Sequence, residues 1–200
     1  MATYTLTPND DAAPDSGDWT VSDGGTIHAA LEAAGGATIT TGATGKDFRV
    51  DFTTQALGVG ETIDSVQACI TGHMFDTRSE TADVRIDIED GDNSNSDYFT
   101  DTHTVTENGG SAATYCSDVE TTSDGGSTAW TQADIDDIRM MGEVTSFSGG
   151  GPSCRLYQAY ITVITSIPAA PTTYTSDDQV TLSGGTLEFK NGMTVIGSKN

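Results

Sequence analysis

The densest set of hard oxygen ligands in the chain is the run EDGDNSNSD at residues 89–97. Asp90, Asp92, Asn95 and Asp97 place carboxylate and amide oxygens at close spacing, the donor type that Ca²⁺ takes. The run lacks the glycine at the sixth loop position and the closing glutamate at the twelfth that an EF-hand uses, and a plain hairpin loop accounts for the same residues. Calcium is the candidate metal, and no other cofactor is implied. A second acidic loop, NDDAAPDSGD, occupies residues 9–18. His28, His73 and His103 share no motif, and HExxH, GxSxG and P-loop signatures are absent. With 30 acidic residues some carboxylate pair is inevitable, so a glycosidase pair is not readable here. No motif supports an enzyme. Trp130 admits two readings: stacking on a sugar, or stapling a short helix to the edge of a sheet.

These residues sit in a chain of 200 residues with 30 acidic and 8 basic side chains, a formal net charge of −22. Phosphate binding needs a basic footprint, so nucleic acid is excluded as a partner. An anionic membrane surface is disfavoured for the same reason. No apolar run approaches the roughly 18 residues that span a bilayer. The first residues show no basic start followed by an apolar stretch, and the expectation is a soluble protein made in a cytoplasm. Cys69, Cys116 and Cys154 have no CxxC spacing; buried free thiols are expected, with a Cys116–Cys154 bridge left open.

The elements that must position any site are mostly strands. The run FRVDF at 48–52 alternates, with Phe48, Val50 and Phe52 on one face, and DVRIDIE at 83–89 does the same with Val84, Ile86 and Ile88. Further strands are expected at 2–7, 37–41, 63–71, 98–105, 113–119, 143–147 and 154–165, the last being the longest β-branched and aromatic run and so a central strand. Residues 26–34 read as one short helical turn. One longer helix is expected from Thr131, where Asp134 completes a capping box. Ile135, Ile138 and Met141 then form its apolar stripe, and Gly142 ends it. Such a helix cannot stand alone and must cap a larger body. The expected fold is all-β: a β-sandwich or jelly roll of about eight strands with one or two short helices. Residues 1–167 form that domain. After a Pro-rich connector, residues 168–200 form a β-hairpin arm, with Val180, Leu182, Leu187, Phe189, Met193, Val195 and Ile196 as its apolar side chains and Asn191-Gly192 as its turn.

The ordered set of Trp19 with IHAAL after it, FRVDF, IDSVQACITG, DVRIDIEDGDNSN, TAWTQADIDDIRMMGEV and RLYQAYITVI resembles the β-sandwich module of tailed-bacteriophage virion proteins, capsid decoration (cement) proteins among them. In that family a Trp opens the short helix, a glycine-bearing strand follows, and an R-x-Y strand closes the sandwich; Trp130, Gly142, Arg155 and Tyr157 match those positions. The resemblance covers Trp19 to Thr165 and leaves the arm outside it. It implies a non-enzymatic virion structural protein on the capsid exterior. Its partners would be the major capsid protein and its own copies as a homotrimer, with the arm adding strands between subunits. The alternative is a carbohydrate-binding or receptor-binding module of a tail or fibre protein, which would carry exposed aromatics on a sheet face.

Overall fold

A computed structural model describes residues 1–12, 19–33, 36–75, 80–91, 97–106, 111–123, 127–149 and 153–168. The arm residues Val180, Leu182, Leu187, Phe189, Met193, Val195 and Ile196 lie outside the described residues. In chain order the elements are β1 Ala2–Leu6, β2 Pro8–Asp11, β3 Thr20–Val21, α1 Ile27–Leu31, β4 Ile39–Thr41, β5 Lys46–Phe52, β6 Thr62–Met74 and β7 Thr81–Asp90. There follow β8 Asp97–Thr106, β9 Ala113–Cys116, α2 Gln132–Asp136, β10 Ile138–Ser148 and β11 Cys154–Ser166. The fold is a two-sheet β-sandwich. One sheet has six strands in the order β3-β4-β11-β6-β9, with β1 also on β11; the other has five, β2-β5-β10-β7-β8. All of the described pairings are antiparallel. Most successive strands change sheets, which is the crossing habit of a jelly roll.

Alternation builds the core. Phe48 and Val50 of β5, Val84, Ile86 and Ile88 of β7, and Ile138, Met140 and Val144 of β10 point inward from the five-stranded sheet. They meet Val66, Ala68, Ile70 and Met74 of β6 and Leu156, Ala159, Ile161 and Val163 of β11 in one cluster. Trp19 lies edge-on to Phe48 with ring centroids 5.4 Å apart, and its Nε1 donates to the Lys46 carbonyl at 3.1 Å. Trp19 is therefore a core residue.

The expected long helix is two elements. Its start holds: Thr131 Oγ1 accepts from the Asp134 N–H, and Asp134 Oδ2 accepts from the Thr131 N–H at 2.7 Å. The helix then ends at Asp136, and Ile138 and Met141 stand on β10, between β5 and β7. Ile138 faces the core. Met141 faces outward, its sulfur 3.0 Å from an Arg49 guanidinium nitrogen. Gly142 is not a helix stop: it pairs with Phe48 in register, and a Cβ there would collide with the Phe48 ring. The capping box outlasted the helix because a cap governs only the first turn. The strand ladders on both sides outweigh a further turn of helix.

The expected acidic loop at 9–18 begins as strand: β2 pairs with β5. Asp11, at its end, serves α1. Its carboxylate accepts from the backbone N–H groups of Ile27 at 3.1 Å and His28 at 2.6 Å, standing in for the Thr26 side chain, which makes no cap. The cysteine expectation is also corrected. Cys69 and Cys116 form a disulfide that ties β9 to β6, and Cys154 is the free, buried thiol. Burial pushes the Cys154 thiol up to about 12, so it stays protonated and unreactive.

Candidate functional site

The calcium candidates are not gathered into a described site. Asp90 ends β7 and Asp97 begins β8, while Asp92 and Asn95 lie outside the described residues. Among the described residues no three His, Cys, Asp or Glu side chains converge as metal ligands. A cleft of about 270 Å³ beside Gly91 is lined by Asp10, Asp51, Asp136 and Asp137, but Arg139 already holds Asp51 there, Nε to Oδ1 at 2.8 Å.

The outer face of the five-stranded sheet spends its cations internally. Arg85 meets Asp87 and Glu143, both at 2.9 Å. Arg49 meets Asp47 and Glu89, and Arg139 meets Asp51. Each guanidinium on this face is held by carboxylates of its own strand or of another strand of the sheet, so the face offers a ligand little free cationic chemistry.

Trp130 is not a sugar platform. It is 5% exposed, its Nε1 donates to the Glu120 carbonyl at 3.2 Å, and the rings of Tyr98 and Phe99 pack on it at 5.0 and 6.4 Å. It staples the α2 region to the sandwich. Burial and the nearby Asp134 carboxylate raise the Tyr98 hydroxyl well above its ordinary value.

The outer face of the six-stranded sheet is different. β11 is central there, and the register sets its outward side chains beside those of β6: Arg155 opposite His73, Gln158 opposite Thr71, and Tyr160 opposite Cys69. A bulge between Leu156 and Gln158 adds Tyr157 to the same face. Gly72 permits the close approach at the bulge, since a Cβ there would lie 2.6 Å from the Arg155 carbonyl oxygen and 2.6 Å from Leu156 Cδ2. The Tyr157 hydroxyl sits 3.1 Å from His73 Nε2, and the two rings are 5.2 Å apart. Phe75, just beyond β6, is 56% exposed, and the Arg155 guanidinium lies over its ring at 3.8 Å. Phe75 N–H donates to the Ser153 carbonyl at 2.7 Å, which fixes this ring to the end of β11.

Phe75, Arg155, His73, Tyr157 and Tyr160 thus form a strip of aromatic and cationic groups on a rigid central sheet. Tyr157, Tyr160 and Arg155 are half-buried. Rings presented this way offer a flat apolar surface with polar edges, and Gln158, Thr71 and Thr114 add neutral donors and acceptors nearby. Sequence reasoning named Arg155 and Tyr157 as packing residues and missed Phe75, His73 and Tyr160 as a group. The available signal was a set of aromatics and an arginine at what the period-2 alternation makes outward positions of a central strand.

No family model matches the chain, and no curated protein matches it. Solved structures of similar shape exist. One, titled "CBM4 structure and function", is 13% identical with a TM-score of 0.42, over 81% of this chain and 86% of its own. The CBM36-1 domain of a multidomain xylanase from the hindgut metagenome of Trinervitermes trinervoides is 12% identical with a TM-score of 0.38, over 81% of this chain and 96% of its own. The arabinose-bound MgGH51 α-L-arabinofuranosidase is 11% identical with a TM-score of 0.40, over 80% of this chain and 26% of its own. Identity and similarity this low carry neither ligand nor activity across.

Proposed function

We propose that this chain is a non-enzymatic glycan-binding module, and that the outer face of the six-stranded sheet is its binding surface. The observation that supports this is the strip Phe75–Arg155–His73–Tyr157–Tyr160, in which the rings of Phe75, Tyr157 and Tyr160 are exposed or half-buried over the buried His73. Sugar rings stack their C–H faces on such side chains while their hydroxyls reach neighbouring amides and hydroxyls. The acidic opposite face, with its arginines already paired, serves solubility.

The test is affinity electrophoresis of the full chain in gels containing neutral and acidic polysaccharides. Tyr160→Ala should weaken retardation by about tenfold, the equivalent of about 1.4 kcal/mol. Trp130→Phe should leave the dissociation constant unchanged. A chain that no polysaccharide retards, or one that Tyr160→Ala leaves unaltered, overturns the assignment of this face.

The virion setting rests on the sequence resemblance alone. It fits a tail or fibre component that holds a glycan receptor. For a capsid decoration protein that assembles as a homotrimer on the major capsid protein, deletion of residues 168–200 should abolish capsid binding, and decoration by the truncated chain would exclude the arm from that role.

A further inference from the structure

We propose that the binding face selects a mainly neutral glycan carrying sparse uronic acid substituents, with the uronate carboxylate seated on Arg155. This rests on the glycan-binding reading of the same face and adds the ligand class. Four arginines fall among the described residues, and three of them, Arg49, Arg85 and Arg139, hold carboxylates within 3.4 Å. Arg155 has no carboxylate partner among the described residues, in a chain with 30 acidic side chains. Its Nε is enclosed and makes no hydrogen bond with a described residue. A ligand therefore meets the terminal end of the fork, which lies over the exposed Phe75 ring.

That arrangement joins two recognition elements at one point. The planar guanidinium suits a carboxylate in a two-point contact, and the Phe75 ring beside it suits the C–H face of the sugar bearing that carboxylate. His73, on the same face, is only 5% exposed and lies against the Tyr157 hydroxyl, so it buttresses the strip and leaves Arg155 as the anion contact. The net charge of −22 narrows the ligand further. A continuous polyanion would be repelled along the whole approach, whereas isolated uronates on a neutral backbone meet the Arg155 cation without that penalty.

The experiment uses affinity electrophoresis of the full chain in glucuronoxylan, xanthan and gum arabic, each beside its carboxyl-reduced counterpart, and in a sulfated galactan. At least one uronate-bearing polymer should bind at least tenfold more tightly than its reduced form. Arg155→Met, which keeps much of the side-chain bulk, should erase that difference while leaving retardation by the reduced polymer, so that a misfolded variant is recognised. Equal retardation by every uronate polymer and its reduced form, or a preference that survives Arg155→Met, overturns the proposal while the glycan-binding reading stands. Tighter binding to the sulfated galactan than to any uronate polymer overturns the carboxylate assignment. Retardation by none of them sinks both.

Discussion

Gly142→Ala is the substitution that most sharply separates the strand from the helix the sequence suggested. In β10 the glycine pairs with Phe48, and an added Cβ would stand 3.2 Å from Phe48 Cδ1 and closer still to Cε1 and Cζ. Carbon atoms rest at about 3.5–4.0 Å, so the ring must retreat by on the order of 1 Å. It has nowhere to go: Phe48 is 0% exposed and Trp19 packs edge-on against it. Overpacking of this kind costs about 1–3 kcal/mol, and the pinned ring puts Gly142→Ala at about 3 kcal/mol. Phe48→Leu alone should cost about 1.5 kcal/mol. Together they should cost much less than their sum, because the smaller side chain makes room for the methyl, giving a coupling of about 2 kcal/mol. Urea unfolding followed by tryptophan fluorescence measures all three variants, and with a slope of roughly 2 kcal/mol/M the single glycine variant shifts the midpoint by about 1.5 M. Were Gly142 a helix stop, its replacement would cost about 1 kcal/mol and add independently to Phe48→Leu. A Gly142→Ala chain within about 0.5 kcal/mol of the parent, or strict additivity in the double variant, would refute the packing argument.

Two further outcomes follow from named contacts. The Cys69–Cys116 disulfide closes a loop with a sequence separation of 47, for which chain entropy gives about 4 kcal/mol. The chain unfolded without reductant should titrate a single thiol, Cys154, and the Cys69→Ser/Cys116→Ser variant should melt roughly 8–16 °C lower; three reactive thiols would dispose of the bridge. Asp83 accepts hydrogen bonds from Ser146 Oγ at 2.7 Å and Thr104 Oγ1 at 2.8 Å, which hold its carboxyl below the ordinary 3.8. A depressed carboxyl stabilises the fold fully above its ordinary value, and that stabilisation is lost as pH falls through the depressed one. Ser146→Ala should therefore lower the melting temperature at about pH 6, with the gap to the parent closing towards about pH 2; a gap that is constant across this range contradicts the assignment.

Much of the sandwich is written in local pattern. Phe48, Val50 and Phe52, and Val84, Ile86 and Ile88, alternate cleanly because each strand has one dry and one wet side, and that is a property of the strand itself. The capping box at Thr131 and Asp134 is equally local. Where local pattern was ambiguous, it misled. Ile135, Ile138 and Met141 fit a helical stripe, while Ile138, Met140 and Val144 fit a strand just as well. The decision belonged to β5 and β7, which supply ladders on both sides that no single segment announces.

The proposed binding face shows the same division. Arg155, Tyr157 and Tyr160 stand in one strand and were visible as residues. That they face outward together, with His73 of β6 and Phe75 just after it some eighty residues earlier in the chain, depends on the β6–β11 register and on the bulge at Tyr157. The pairing of Cys69 with Cys116 depends likewise on β9 lying against β6. The sequence by itself determined the two-sided strands, the acid excess and the first turn of α2, because these follow from side chains within a few residues of one another. The tertiary structure alone decided which strand β10 became, which cysteines met and which aromatics shared a face. Register and sheet order join segments far apart in the chain, and a one-residue shift would turn every outward ring into the core.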